Sequence, residues 1–155
     1  ASQVDAFENN GLQLIWQTGK TTADEYIKEG EGRKNICVND FISEMEMAYA
    51  AADIVISRAG AMAVTELCVA GNPTVFVPYP LAAEDHQTSN AMSLVKKQAA
   101  LMVKDSEAKE KLVATVIDLS KNEVLQQTLL TNIHALAVNN ADEVIAKEIV
   151  KTISE

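Results

Sequence analysis

Two short runs, residues 53–57 (DIVIS) and 74–77 (TVFV), are apolar at almost every position, without the polar alternation of a strand that has one wet face. Strands buried on both sides belong inside a sheet covered by helices on both faces, which is the habit of parallel strands joined by crossover helices. The flanking sequence supplies such helices. The opening QVDAFENN is patterned like the back half of an amphipathic helix, and Gly11 follows it where helices close in left-handed geometry. Residues 12–17 (LQLIWQ) predict a buried strand, and Thr22 with Glu25 three residues on has capping-box spacing for a helix ending near Gly30. Beyond these the pattern predicts a strand at 35–38, a helix at 42–52, the DIVIS strand, and a helix at 61–70 closed by Gly71. The TVFV strand, a helix at 86–98, a strand at 100–103 and helices at 106–120, 123–138 and 142–153 complete the alternation. The expected fold class is therefore α/β, a Rossmann-like open parallel sheet with helices on both faces. One domain spans 1–155, within the usual size of about 100 to 200 residues. A chain that opens at Ala1 directly into a helical pattern is expected to be a fragment.

Charge narrows the partners. Thirteen Lys plus Arg against twenty-two Asp plus Glu give 13 − 22 = −9, which disfavours gripping a nucleic-acid backbone or anchoring through a polybasic patch. No nucleic acid is expected, and any phosphate must be held locally. Cys37 and Cys68 sit in apolar stretches without a CxxC partner, predicting buried, reduced thiols. No apolar run reaches the roughly 18 residues of a membrane span, and no basic segment followed by an apolar stretch opens the chain, so a cytoplasmic protein is expected.

In open α/β sheets ligands sit beyond the carboxyl ends of the strands, which directs attention to three loops. In residues 57–67 (SRAGAMAVTEL) the DIVIS strand turns through Gly60 into a helix. The small residues there, with Ala61, Met62 and Ala63 opening the helix, let an anion such as a diphosphate approach free amides. The same pattern suits a tight turn that simply needs a glycine. Glu66 lies six residues beyond Gly60, roughly 9 Å further at about 1.5 Å of rise per residue, the distance of a nucleotide's ribose from its phosphates. A carboxylate there can accept from both ribose hydroxyls, or be a helix residue wanting a partner in a mostly buried segment. Residues 78–91 (PYPLAAEDHQTSNA) gather His86, Gln87, Thr88, Ser89 and Asn90, groups able to read sugar hydroxyls. His86 suits a general base or a helix-start residue, and Glu84 with Asp85 suit a helix N-terminus. In residues 38–45 (VNDFISEM), Phe41 and Ile42 suit either packing on a flat base or closing the core as a staple. His134, among apolar neighbours, reads as structural. No Asp-x-Asp pair suits Mg²⁺, so neither metal nor cofactor is expected.

Taken together, FISEM, ADIVISRAGAMAVTELCVAGNPTVFVPYP and EDHQTSNA closely resemble the carboxyl-terminal, donor-binding half of the MurG family of peptidoglycan N-acetylglucosaminyltransferases, from LIWQTGK to the last helix. The resemblance implies one half of a GT-B glycosyltransferase, with UDP-N-acetylglucosamine as donor and undecaprenyl-diphosphate-linked muramoyl pentapeptide, lipid I, as acceptor. Carried over by residue, Ile42 would meet the uracil through its backbone. Gly60, Ala61, Met62 and Ala63 would lie against the diphosphate and ribose, and Glu66 would hold the ribose hydroxyls. Gln87, with His86 and Asn90 nearby, would read the sugar, and Arg58 would stand behind the turn. The family's glycine-rich loop lies upstream of the helix where this chain begins. Its amino-terminal half supplies the acceptor site, the proposed base and the patch that meets the cytoplasmic membrane face. The resemblance therefore implies no catalytic residue in this chain and weak binding of the UDP-sugar. Two rivals share the architecture. One is the cytosolic donor-binding subunit of a two-chain N-acetylglucosaminyltransferase. The other is half of a UDP-N-acetylglucosamine 2-epimerase, whose serine-glycine-glycine turn is replaced here by Arg58-Ala59-Gly60. A plain nucleotide-binding module is the remaining alternative.

Overall fold

A computed structural model of the chain describes residues 3–82 and 85–153. Five strands alternate with helices in the order α1 (Val4–Asn9), β1 (Leu14–Gln17), α2 (Ala23–Gly30), β2 (Ile36–Asn39), α3 (Met45–Ala51), β3 (Val55–Ser57), α4 (Ala61–Ala70), β4 (Thr74–Phe76), α5 (His86–Val95) and β5 (Leu101–Met102). Three helices follow, α6 (Asp105–Ser120), α7 (Glu123–His134) and α8 (Ala141–Ile153), and a short 3₁₀ turn at Lys20–Thr22 leads into α2. Every strand pairing is parallel, as the continuous apolar runs predict. β1 pairs with β2, Leu14 opposite Ile36, and β3-β4-β5 form a second sheet with Val55 opposite Thr74 and Val75 opposite Leu101.

Helices cover both faces because successive strand residues point to opposite sides. On one side Phe76 packs with Ala59, Leu67, Ala91, Leu94 and Ile133, from the β3–α4 turn and α4, α5 and α7. On the other, Val75 packs with Phe7, Val103, Val116, Leu119 and Leu129 from α1, the end of β5, α6 and α7. Leu12 and Leu14 at the start of β1 join this second cluster together with Ile54 before β3, so the two sheets share a core without sharing a ladder. Among the described residues β1 and β3 each have a strand on one side only, and Ile15 and Ile56 on them are 46% and 36% exposed. α1 ties the sheets together from below: Arg33, just before β2, pairs with Asp5 and Glu8, while Gln3 donates to the Lys109 carbonyl on α6.

Several sequence expectations change at the level of single residues. Residues 12–17 alternate between half-buried and exposed rather than being buried, and among the described residues the strand has no neighbour on its second side. Thr22 forms no capping box; its hydroxyl donates back to the Thr18 carbonyl, 2.9 Å away. α3 begins at Met45 rather than at 42, and α7 ends at His134 rather than at 138. Cys68 is buried but Cys37, on β2, is exposed. α8 is amphipathic in pattern yet buries none of its residues, leaving Ile145, Ile149 and Ile153 exposed. Among the described residues no helix is long and apolar enough to cross a membrane.

The glycine closing α4 behaves as its position predicts. Gly71 has φ +77, and a Cβ there would come within 3.3 Å of His134 Nδ1. His134 is thus structural by packing its ring against this glycine, although its residue is exposed at the end of α7. Gly71→Ala should lower the unfolding free energy by about 1–2 kcal/mol, the cost of left-handed backbone for an L residue. Urea denaturation checks this, and an unchanged midpoint would contradict it.

Candidate functional site

The turn between β3 and α4 is the centre of the site. Gly60 is the N-cap of α4 with φ −65 and ψ 152, extended backbone open to any residue, and a Cβ on it would meet nothing within 4 Å. Neither conformation nor crowding inside the protein calls for glycine at this place. No side chain caps α4, and its first in-helix bond runs from Val64 to the Gly60 carbonyl. The amides of Ala61, Met62 and Ala63 are the donors left over at any helix start, at the positive end of the helix dipole. Met62 is 73% exposed beside them.

Two polar side chains of α5 fold back onto this turn. Gln87 Oε1 accepts from the amide of Ala59 at 3.2 Å and from that of Tyr79 at 2.9 Å, tying the loop after β3 to the loop after β4. Asn90 Nδ2 donates to the Ala59 carbonyl at 3.0 Å, so Ala59, itself fully buried, is held at both its backbone groups. Gln87 therefore has its oxygen committed and keeps its NH₂ donors for anything outside, while Asn90 keeps its oxygen. The sequence reading of both as freely donating and accepting groups is narrower in the structure. Arg58 stands behind them: its Nη1 donates to the Val77 and Pro78 carbonyls at 3.0 and 3.3 Å, pairs with Asp105, and lies 5.5 Å from the centre of the Tyr79 ring. That single guanidinium fastens together the carboxyl ends of β3 and β4 and the start of α6.

Glu66 lies on the exposed face of α4, one turn beyond Met62, rather than in a mostly buried segment. Its Oε2 accepts from the Tyr49 hydroxyl at 3.2 Å, a contact across α3 and α4 with no local sequence signal. Burial first, and then the Glu66 charge, push the Tyr49 phenol above its ordinary pKa, which keeps it a donor. Ile42 sits in the loop after β2, ahead of α3. Its amide donates to Gln17 Oε1 at 2.7 Å, so a side chain from the end of β1 already occupies that donor. Phe41 is 63% exposed and does not close the core. His86 opens α5 on the surface, and Asp85 before it is left-handed at φ 56; Glu84 lies outside the described residues.

The structure thus brings Gly60, Gln87 and Asn90 together around Ala59 and joins Glu66 to them along α4, while Ile42 stands in the loop after β2. Sequence reasoning missed Tyr49 and Gln17. Gln17 was open to discovery, being the polar residue that ends an apolar strand on the carboxyl side. Hollows of 310 and 670 Å³ lie against α7, away from the β3–α4 turn. Among the described residues no three His, Cys, Asp or Glu side chains gather as they would around a metal ion.

Comparison with known proteins places the fold in a family. The glycosyltransferase family 28 C-terminal domain matches residues 1–149. The UDP-N-acetylglucosamine--N-acetylmuramyl-(pentapeptide) pyrophosphoryl-undecaprenol N-acetylglucosamine transferase of Cytophaga hutchinsonii is 44% identical over 154 residues, 97% of this chain and 40% of that protein. The Bacteroides thetaiotaomicron protein of the same name is 46% identical over 147 residues, again with 40% of its length covered. The chain therefore spans about two fifths of the curated relatives it matches. Among solved structures, Acinetobacter baumannii MurG superposes with a TM-score of 0.77 at 33% identity, over 88% of this chain and 42% of that one. The kitacinnamycin glycotransferase, at 19% identity, 0.63 TM-score and coverage of 87% of this chain and 34% of its own, shares the fold alone. The parallel strands with helices on both faces are the Rossmann-like half of a GT-B glycosyltransferase. With the family model matching nearly the whole length, the chain belongs to the glycosyltransferase family 28 C-terminal domain family.

Proposed function

We propose that this chain is the donor-binding half of an inverting N-acetylglucosaminyltransferase that takes UDP-N-acetylglucosamine and glycosylates lipid I to give lipid II. The observation that carries the reading is Gly60: at the residue that caps the start of α4, a side chain would meet no atom of the protein within 4 Å. Room of that kind serves a ligand approaching the backbone, and the helix end suits its negative charge. Glu66, one and a half turns on, is set to accept from the ribose hydroxyls, and Ile42 to meet the uracil once Gln17 gives way. Gln87 and His86 would face the sugar with Asn90 beside them, Gln87 only as a donor.

In the reaction, the muramoyl C4 hydroxyl oxygen forms a bond to the anomeric carbon while the bond from that carbon to the UDP oxygen breaks, inverting the centre. UDP leaves with the electron pair. The work of this half is to place the donor and to stabilise charge building on the departing diphosphate at the start of α4. A helix end offers at most about 2 kcal/mol to an anion, whereas micromolar affinity needs about 8 kcal/mol, so base, ribose and sugar contacts must supply most of the binding. The base that deprotonates the acceptor and the acceptor site itself are assigned to the partner half of the enzyme. Because the acceptor's undecaprenol tail stays in the bilayer, the whole enzyme would work as a peripheral protein on the cytoplasmic membrane face. The core that the two parallel sheets share supports a single donor domain over residues 1–155.

Titration of the chain with UDP, followed by amide chemical shifts, tests the reading. Binding weaker than micromolar is expected, with shifts at 60–66. Glu66→Ala should weaken it about tenfold, the worth of hydrogen bonds to a charged group that is partly exposed. An affinity unchanged by Glu66→Ala would reduce the chain to a plain nucleotide-binding module.

A further inference from the structure

We infer that Tyr49 is a positioning residue for ribose recognition, its hydroxyl fixing the Glu66 carboxylate in the orientation that accepts the two adjacent hydroxyls of the nucleotide. The inference rests on the proposed role of Glu66 and extends it to a residue on a different helix. An exposed glutamate on a helix has several open rotamers, and locking it on binding costs side-chain entropy. Here the cost is met in advance. Tyr49 Oη donates to Glu66 Oε2 at 3.2 Å, and among the described residues it is the hydrogen-bond partner of that carboxylate. Oε1 is left for a ligand.

Tyr49 is itself held at its other end. Asn72 Nδ2 donates to the Tyr49 carbonyl at 3.1 Å and to the Ala52 carbonyl at 2.7 Å, pinning the last turn of α3. The ring packs on the cluster of Ala59, Leu67 and Phe76, so the phenol reaches Glu66 from a fixed base continuous with the Gly60 turn. With its pKa raised by burial and by Glu66, the phenol stays protonated and keeps donating. A lysine in that position would instead neutralise the carboxylate; a neutral donor orients it and leaves its charge for the ribose.

The test compares UDP with 2′-deoxy-UDP, which lacks one of the two hydroxyls, on the unmodified chain and on Tyr49→Phe and Glu66→Gln, by the same chemical-shift titration. The unmodified chain is expected to prefer UDP by about tenfold, as a charged hydrogen bond is worth. Glu66→Gln should bring that preference close to one. Tyr49→Phe keeps the ring and its packing, and should weaken UDP about threefold to tenfold and shrink the preference, while its melting temperature stays near that of the unmodified chain. A structural role would move the melting temperature and leave the preference intact. If Tyr49→Phe leaves both affinity and preference unchanged while Glu66→Gln alters them, Tyr49 has no positioning role and the ribose reading stands. If the unmodified chain shows no preference, or no shift with UDP at all, the ribose reading itself fails and this inference falls with it.

Discussion

Gly60→Ala is expected to weaken UDP binding on the order of 10- to 100-fold while leaving the unfolding free energy within about 0.5 kcal/mol of its original value. The two effects separate because the glycine has no internal duty. Its backbone is extended at φ −65, and the added methyl would meet no atom of the protein within 4 Å. Alanine is a slightly poorer N-cap than glycine, but it also narrows the unfolded ensemble, and these small terms oppose each other. With a diphosphate resting on the Ala61, Met62 and Ala63 amides as proposed, the methyl would crowd it, and overpacking of that kind costs about 1–3 kcal/mol. Paired urea denaturation and UDP titration read both quantities. A variant that binds UDP normally would show that nothing approaches the turn closely. Gly71→Ala is the mirror case, with stability lost and the ligand surface untouched.

Gln87→Leu should damage folding and binding together. The leucine fills similar volume but offers no acceptor to the amides of Ala59 and Tyr79. Ala59 is fully buried, so its orphaned N–H costs about 1–3 kcal/mol, whereas Tyr79 is 44% exposed in its loop and its amide can turn to water. A loss of about 2 kcal/mol overall is the expected result, a large share of the 5–15 kcal/mol typical of a domain. UDP-N-acetylglucosamine binding should fall further than UDP binding, because the donors facing the sugar vanish as well. Gln87→Glu keeps the acceptor oxygens and should retain most of the stability. Equal losses for the leucine and glutamate variants would show that the bridge between the two loops contributes nothing.

What could be read from sequence was what local pattern determines. The parallel sheet followed from the continuously apolar DIVIS and TVFV, and both runs are strands of one sheet; TVFV is buried on both faces, whereas DIVIS, paired on one side only among the described residues, is half-buried with Ile56 exposed. Gly60 and Glu66 stood out because helix rise converts sequence spacing into distance. Contacts between distant segments left no such trace. Tyr49 meets Glu66 from seventeen residues away, and Gln17 reaches across twenty-five to the amide of Ile42. That second contact accompanies a later start of α3 than the apolar pattern suggests, since residues 42–44 remain in the loop. The Thr22 hydroxyl had two local partners to choose from, and the carbonyl behind it prevailed over the amide ahead. Cys37 looked buried from its apolar neighbours, but β2 pairs on one side only.

The lone-sided pairing of β1 and β3 governs how this polypeptide behaves when concentrated. Each presents a row of amides and carbonyls alongside a half-uncovered isoleucine, Ile15 or Ile56. Such rows are templates for any extended segment that arrives, including one from another molecule. A strand laid along either edge would cover those unpaired groups, and along β3 it would also stiffen the strand from which the Gly60 turn is hung.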